Sequence, residues 1–159
     1  MVDTVGILTE DWAPLRKRSG KVPMSQQKKP VFSMEMDVRW GDMDAMGHVN
    51  NTVYFRYMEQ ARVSWLESLH GSITDLTTGP VIVNARCTFL VPILYPERIV
   101  VEVACGPPGR SSFDTYYEIR PAGKPEPLYA EGQSKVVWIG HAAGRSVPVP
   151  DAIRALIET

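Results

Sequence analysis

The 159-residue sequence has no strong excess of either charge, few cysteines and no long apolar run. Its formal net charge of −1 gives little of the attraction that draws basic proteins to nucleic acids or anionic membranes. No apolar stretch approaches the roughly 20 residues that a membrane-spanning helix needs, and the N-terminus lacks the apolar core of a secretory signal. We therefore predict neither nucleic acid nor membrane as a partner.

The two cysteines, Cys87 and Cys105, lie far apart in apolar, strand-like segments and in no metal-ligand spacing. Buried, reduced thiols are therefore expected rather than a disulfide. Such thiols suit a reducing compartment, and we predict a cytoplasmic protein.

Length and composition indicate one domain with a hydrophobic core, because 44% of the residues are hydrophobic and 22% are charged. Residues 1–30 mix basic residues with Pro, Gly and Ser and show no sustained periodicity, so we expect an N-terminal extension outside the core. Within them, Met24 followed by SQQKKP resembles a natural start. Residues 31–159 are expected to form the single domain.

Apolar periodicity predicts the order strand, long helix, four strands and short helix. Residues 31–40 alternate, and residues 51–69 have helical spacing with Tyr54, Tyr57, Met58, Ala61 and Trp65 on one face. Further strands are predicted at 81–91, 98–105, 112–120 and 128–139, and a helix at 151–158. Short turns favour an antiparallel meander, and the helix must bury its apolar face against it. We predict an α+β domain, a curved antiparallel sheet wrapped around one long helix, whose exposed edges favour a homo-oligomer.

A polar segment, GDMDAMGHVNN, directly precedes the long helix. A calcium loop is rejected because Met46 and Val53 occupy positions that need oxygen ligands. Asp42, Asp44 and His48 match no recognised transition-metal spacing, so no metal or other cofactor is predicted. A helix cap could use Asn50 or Asn51, but a cap alone needs only one side-chain oxygen.

A catalytic site is the other interpretation of this polar segment. The first turn of a helix offers free backbone amides and a partial positive charge, which can stabilise the oxyanion of acyl transfer. A carboxylate just upstream, such as Asp44, could attack a carbonyl carbon or activate water. Gly47 would let the backbone turn back toward the helix. The residue chemistry leaves both the cap and the catalytic site open.

The motif D-x-D-x-x-G-H-V-N-N-x-x-Y-x-x-x-x-E-x-A-R, from Asp42 to Arg62, resembles that of hotdog-fold acyl-CoA thioesterases, most closely the 4-hydroxybenzoyl-CoA thioesterase-like group. Its HVNN segment is also similar to acyl-carrier-protein thioesterases. The resemblance covers roughly residues 31–150. It implies the hotdog fold, dimers or tetramers formed through paired sheet edges, and hydrolysis of an acyl-CoA to free acid and CoA.

The resemblance also implies roles for single residues. Asp44 would be the nucleophile or general base, and the backbone amide of Asn51 would polarise the thioester carbonyl. Asp42 would structure the loop. Gly47 and His48 would form the turn that shapes the substrate pocket. Beside the resemblance, we predict that Val49, Asn50, Tyr54, Arg110 and Ser111 also bind substrate.

Other residues complete the predicted site. An apolar acyl pocket is expected from Val53, Tyr54, Tyr57 and Met58, and CoA phosphates could meet Arg86, Arg98, Arg110 or Lys135. Glu59 and Arg62, three residues apart, are expected to form a structural ion pair. An acyl-carrier-protein thioesterase and a non-catalytic acyl-thioester-binding oligomer remain alternatives.

Overall fold

A computed structural model describes residues 28–70 and 77–158 of the chain. The predictions for residues 1–27, including a start at Met24, lie outside these residues. The strands are β1 (Lys29–Asp37), β2 (Thr78–Phe89), β3 (Arg98–Cys105), β4 (Ser112–Pro121), β5 (Ala130–Gly140) and β6 (Arg145–Ser146), and the α-helices are α1 (Asn51–His70) and α2 (Asp151–Glu158). No helix in the described ranges combines the length and apolar character that crossing a membrane requires.

The sheet is antiparallel and curved, and its strand order is β1-β3-β4-β5-β2, with β6 paired to β5. The predicted α+β class and the wrapped sheet are confirmed. A simple meander is wrong, because β1 and β2 do not pair with their neighbours in sequence, whereas β3, β4, β5 and the short β6 do. Strand β2 instead crosses to the far side of β5, so β1 and β2 form the two edges.

Helix α1 packs its predicted apolar face against the sheet, and every residue of that face is buried. Two core clusters result. The first surrounds the N-terminal half of α1 and includes Val49, Tyr54 and Ile93. The second joins Trp65 on α1 to Trp138 on β5 and to α2. The polar segment before α1 therefore packs on the first cluster through Val49.

Two local predictions fail at the edges of the sheet. The alternation over residues 31–40 predicts that Trp40 shares the apolar face of Met36 and Val38, but Trp40 is 76% exposed. The strand ends at Asp37, and a 3-10 turn at Trp40–Asp42 changes the direction of the chain. The strand predicted at 81–91 begins earlier than expected, because β2 starts at Thr78 and contains Pro80. An edge strand tolerates proline because one of its sides lacks a ladder partner.

Candidate active site

The segment before α1 folds into a tight loop closed by backbone hydrogen bonds. The Asp44 amide donates to the His48 carbonyl at 2.7 Å, and the Asn50 amide donates to the Asp42 carbonyl at 2.9 Å. Between them Gly47 has a φ of +80°, a conformation that favours glycine. The expected return of the chain toward the helix therefore occurs, with Gly47 at the turn.

Among the described residues, only one of the two oxygens of the Asp44 carboxylate accepts hydrogen bonds. Its Oδ1 accepts hydrogen bonds from the backbone amides of Met46 at 2.8 Å and His48 at 3.3 Å. Its Oδ2 accepts none from the residues that the structure describes. The half-buried carboxylate is thus oriented by the loop while one oxygen stays available for a ligand or water.

The start of α1 leaves one backbone amide without a partner. Asn50 is the cap, because its Oδ1 accepts from the Thr52 amide at 2.9 Å and from the Thr52 hydroxyl at 2.8 Å. The Val53 amide donates to the Asn50 carbonyl at 2.9 Å. Asn51 is the first helical residue, and its amide donates to no acceptor within the described ranges. That amide is free to bind an oxyanion.

Asp42 anchors the loop to the helix. Its Oδ2 accepts from the Arg39 amide at 2.8 Å and from the Tyr57 hydroxyl at 2.7 Å. Burial, followed by the hydrogen bond to Asp42, raises the pKa of Tyr57, so the phenol stays a donor. Asp42 has the loop-structuring role that the sequence suggested.

A second loop, residues 90–97, supports the first and was missed by sequence reasoning. The Val49 amide donates to the Ile93 carbonyl at 2.9 Å, and the Ile93 amide donates to the buried Tyr54 hydroxyl at 3.2 Å. Burial is the main cause that raises the pKa of Tyr54, and the charge of Asp44 adds to it. Tyr54 therefore joins this loop to the environment of Asp44.

A cleft of about 230 Å³ runs beside α1, toward β2, β4 and β5. Its walls include Phe55 and Met58 on the helix and Ile82 on β2. The predicted ion pair between Glu59 and Arg62 does not form among the described residues. Arg62 instead donates to the buried Tyr117 hydroxyl at 3.0 Å.

Most of the predicted cations already have partners. Arg98 pairs with Glu35 at 2.9 Å, Lys135 pairs with Asp114 at 3.4 Å, and Arg86 donates to the Gln133 side chain. Arg110 and Ser111 lie elsewhere: their carbonyls accept from the amides of Val149 and Trp138, beside the second core cluster. Within one chain the structure does not bring them to Asp44, and their role in substrate binding stays a prediction.

The remaining features are the metal-ligating side chains and the two thiols of the described ranges. No group of three or more His, Cys, Asp and Glu side chains there could hold a metal ion. Cys87 and Cys105 are free, and burial raises the pKa of each thiol to about 12.

Comparison with known proteins assigns this chain to a family. Residues 38–157 match the model of the thioesterase-like superfamily. The fold matches the PA2801 protein of Pseudomonas aeruginosa, whose thioesterase assignment is provisional, with a TM-score of 0.78, 43% identity and coverage of 81% of this chain and 99% of that one.

Two further relatives carry more specific names. The 1,4-dihydroxy-2-naphthoyl-CoA thioesterase Slr0204 of Synechocystis matches with a TM-score of 0.72 and 25% identity, over 79% of this chain and 94% of that one. The chloroplastic acyl-acyl carrier protein thioesterase ATL3 of Arabidopsis thaliana is 28% identical, over 77% of this chain and 65% of its own length. Because this family model covers most of the chain, the chain belongs to the thioesterase-like superfamily.

Proposed function

We propose that this thioester hydrolase cleaves acyl-CoA thioesters to a free acid and CoA at the junction between the Asp44 loop and α1. The observation that carries the proposal is the presence of two unused groups in this one loop–helix segment. Asp44 has a carboxylate oxygen that accepts nothing from the described residues, and Asn51 has a helix-start amide that donates to none of them. The proposed route of thioester hydrolysis uses one group of each kind.

The amide of Asn51 would donate to the thioester carbonyl oxygen, and the partial positive charge of the helix start would stabilise the oxyanion. Asp44 would then act in one of two ways. As a general base it takes a proton from water while the water oxygen bonds to the carbonyl carbon. As a nucleophile it bonds to that carbon itself, and water later hydrolyses the mixed anhydride. In both routes the carbon–sulfur bond breaks and CoA leaves as a thiolate that gains a proton.

The cleft beside α1 is suited to the acyl group. It begins near Phe55, one helical turn after Asn51, and its walls at Met58 and Ile82 are apolar. An acyl chain whose carbonyl lies at Asn51 could therefore extend along the helix. The name of the Synechocystis relative supports CoA as the carrier, and the name of the Arabidopsis relative keeps acyl carrier protein as the second candidate.

A second copy of the chain is the proposed partner, paired through β2. This edge strand is 12 residues long and exposes Val81, Val83 and Phe89, with Val83 at 60% exposure. A long apolar edge of this kind favours pairing with another strand. Sedimentation analysis should give a dimer or tetramer, and a stable monomer at micromolar concentration would contradict the assignment.

The matched variants Asp44→Asn and Asp42→Asn test the proposed chemistry. Both keep an acceptor oxygen in the loop, but only the first removes the proposed base or nucleophile. We expect Asp44→Asn to lower kcat by at least about 100-fold, as the loss of a general base or nucleophile does. Asp42→Asn keeps an oxygen for Arg39 and Tyr57 and should retain most activity.

The assay is thiol release from a panel of acyl-CoAs, aliphatic and aromatic, with circular dichroism to establish that each variant is folded. Near wild-type turnover by folded Asp44→Asn would refute the role of Asp44. Tight acyl-CoA binding without thiol release by the wild type would favour the non-catalytic alternative.

A further inference from the structure

Four exposed apolar side chains surround the Asp44 junction. Trp40, Met46, Leu94 and Tyr95 are 76%, 74%, 50% and 45% exposed, and they make up half of the eight large apolar side chains exposed in the described ranges. Trp40 and Met46 lie in the segment before α1, which contains Asp44, and Leu94 and Tyr95 lie in the loop of residues 90–97, which is bonded to Tyr54. We call these four residues the apolar rim. Such a concentration of exposed apolar surface beside a site marks a binding surface.

Two aromatic residues give the rim a defined shape. The rings of Trp40 and Tyr95 lie edge to face, with centroids 5.7 Å apart and planes at 81°. Neither residue belongs to a core cluster. The backbone beneath Trp40 is held, because its carbonyl accepts from the Met43 amide at 3.3 Å. The two rings therefore stand nearly at right angles and leave ring surface exposed, while a hydrogen bond holds the backbone at Trp40. This arrangement suits a flat aromatic ligand that stacks on a ring.

We propose that the apolar rim binds the adenine ring of the CoA part of the substrate, which stacks on Trp40. This inference rests on the proposed hydrolysis of acyl-CoA. A thioester has two arms that leave its carbonyl carbon. The cleft for the acyl arm runs along α1 from Phe55 to Arg62, on the C-terminal side of Asn51. The rim lies on the N-terminal side of Asn51, where the thiol arm can leave.

Charge and reach are compatible with this ligand. Arg39, next to Trp40, is exposed and forms no ion pair with the described residues, so it can neutralise a phosphate of CoA. The positive charge of Arg39 acts on the side chains of this loop: it lowers the pKa of Tyr57, although the larger effect of burial raises that pKa. Trp40 and Asp44 are four residues apart, so their Cα atoms are separated by at most about 14 Å. The flexible pantetheine arm can bridge that distance.

The proposal also distinguishes the two candidate carriers. An acyl carrier protein presents the same phosphopantetheine arm but no adenine. A stacking surface at Trp40 therefore favours CoA as the carrier of the acyl group.

The test compares one acyl group on two carriers, CoA and pantetheine, the second of which lacks the nucleotide. Trp40→Ala should lower kcat/KM for the CoA thioester by about tenfold, the scale of one base–aromatic stack, and leave the pantetheine thioester unchanged. Trp40→Phe keeps a ring and should restore most of the loss. Phe55→Ala, in the acyl cleft, is the control and should affect both thioesters equally.

Calorimetric binding of adenosine 3′,5′-bisphosphate gives a readout that does not depend on hydrolysis. The wild type should bind it and Trp40→Ala should bind it about tenfold more weakly, even if Asp44 proves not to be catalytic. Equal losses on both thioesters would overturn the proposal. The same acyl group on acyl carrier protein is a third substrate; a loss confined to that thioester would overturn the proposal as well and assign the rim to docking of that protein.

Discussion

Gly132→Ala should destabilise the protein, because Gly132 on β5 lies directly against the Met58 side chain of α1. A Cβ built on Gly132 would overlap Met58 Sδ and lie 3.2 Å from both Met58 Cε and Tyr117 Cδ2. Met58 and Tyr117 are only 4% and 2% exposed, so a new methyl group forces the Met58 side chain to shift toward the cleft that it lines. Overpacking of a well-packed core costs about 1–3 kcal/mol. Replacing a glycine in a strand by alanine would otherwise stabilise the folded state by roughly 0.5–1 kcal/mol, because alanine loses less backbone entropy on folding. The cost of overpacking should outweigh this gain.

Urea unfolding at equilibrium measures this cost. The matched control is Gly41→Ala, since a Cβ at Gly41 meets nothing within 4 Å. The double variant Gly132→Ala/Met58→Ala tests the cause, because removing the Met58 side chain makes room for the new methyl group. We expect Met58→Ala to cost at least about 1 kcal/mol less in the Gly132→Ala background than alone. Additive costs, or a Gly132→Ala protein as stable as Gly41→Ala, would refute the close-contact argument.

The remaining predictions concern the helix cap and the thiols. Asn50→Ala removes the acceptor for Thr52 and should lower the free energy of unfolding by about 1 kcal/mol in urea, with a fall in kcat, whereas Asn50→Asp keeps the acceptor and should be milder. Burial raises the pKa of Cys105 to about 12, so the folded chain keeps a proton that the unfolded chain releases above a pH of about 9. The free energy of unfolding should therefore fall by about 1.4 kcal/mol per pH unit between these values for this thiol, and Cys105→Ala should reduce the measured slope by that amount.

Regular, locally determined features of the fold could be predicted from sequence. The alternation over Arg98–Cys105 located β3 correctly, and the helical spacing of the α1 face identified residues that are all buried. Strand order could not be predicted in this way. Periodicity tells which side of a strand faces the core but not which strand lies beside it. The crossing of β2 to β5 depends on the long connection through residues 90–97.

The candidate site shows the same division. The capping role of Asn50 and the turn at Gly47 follow from local backbone chemistry. The support from Ile93 and the bond between Arg62 and Tyr117 join residues 39 and 55 positions apart in sequence. No local spacing signals such contacts. The roles of Asp44 and Asn51 stay predictions until turnover is measured.

The strand order also suggests an order of folding. Strands β3, β4 and β5 pair with their sequence neighbours, so this part of the sheet can form with little loss of loop entropy. Strand β1 reaches β3 only across α1 and β2, and β2 reaches β5 only across the two strands between them. We expect the three-stranded unit to form early and the edges later. Because the Asp44 loop depends on both α1 and the loop after β2, the site would be completed last, so a chain halted midway would have a sheet but no thioesterase activity.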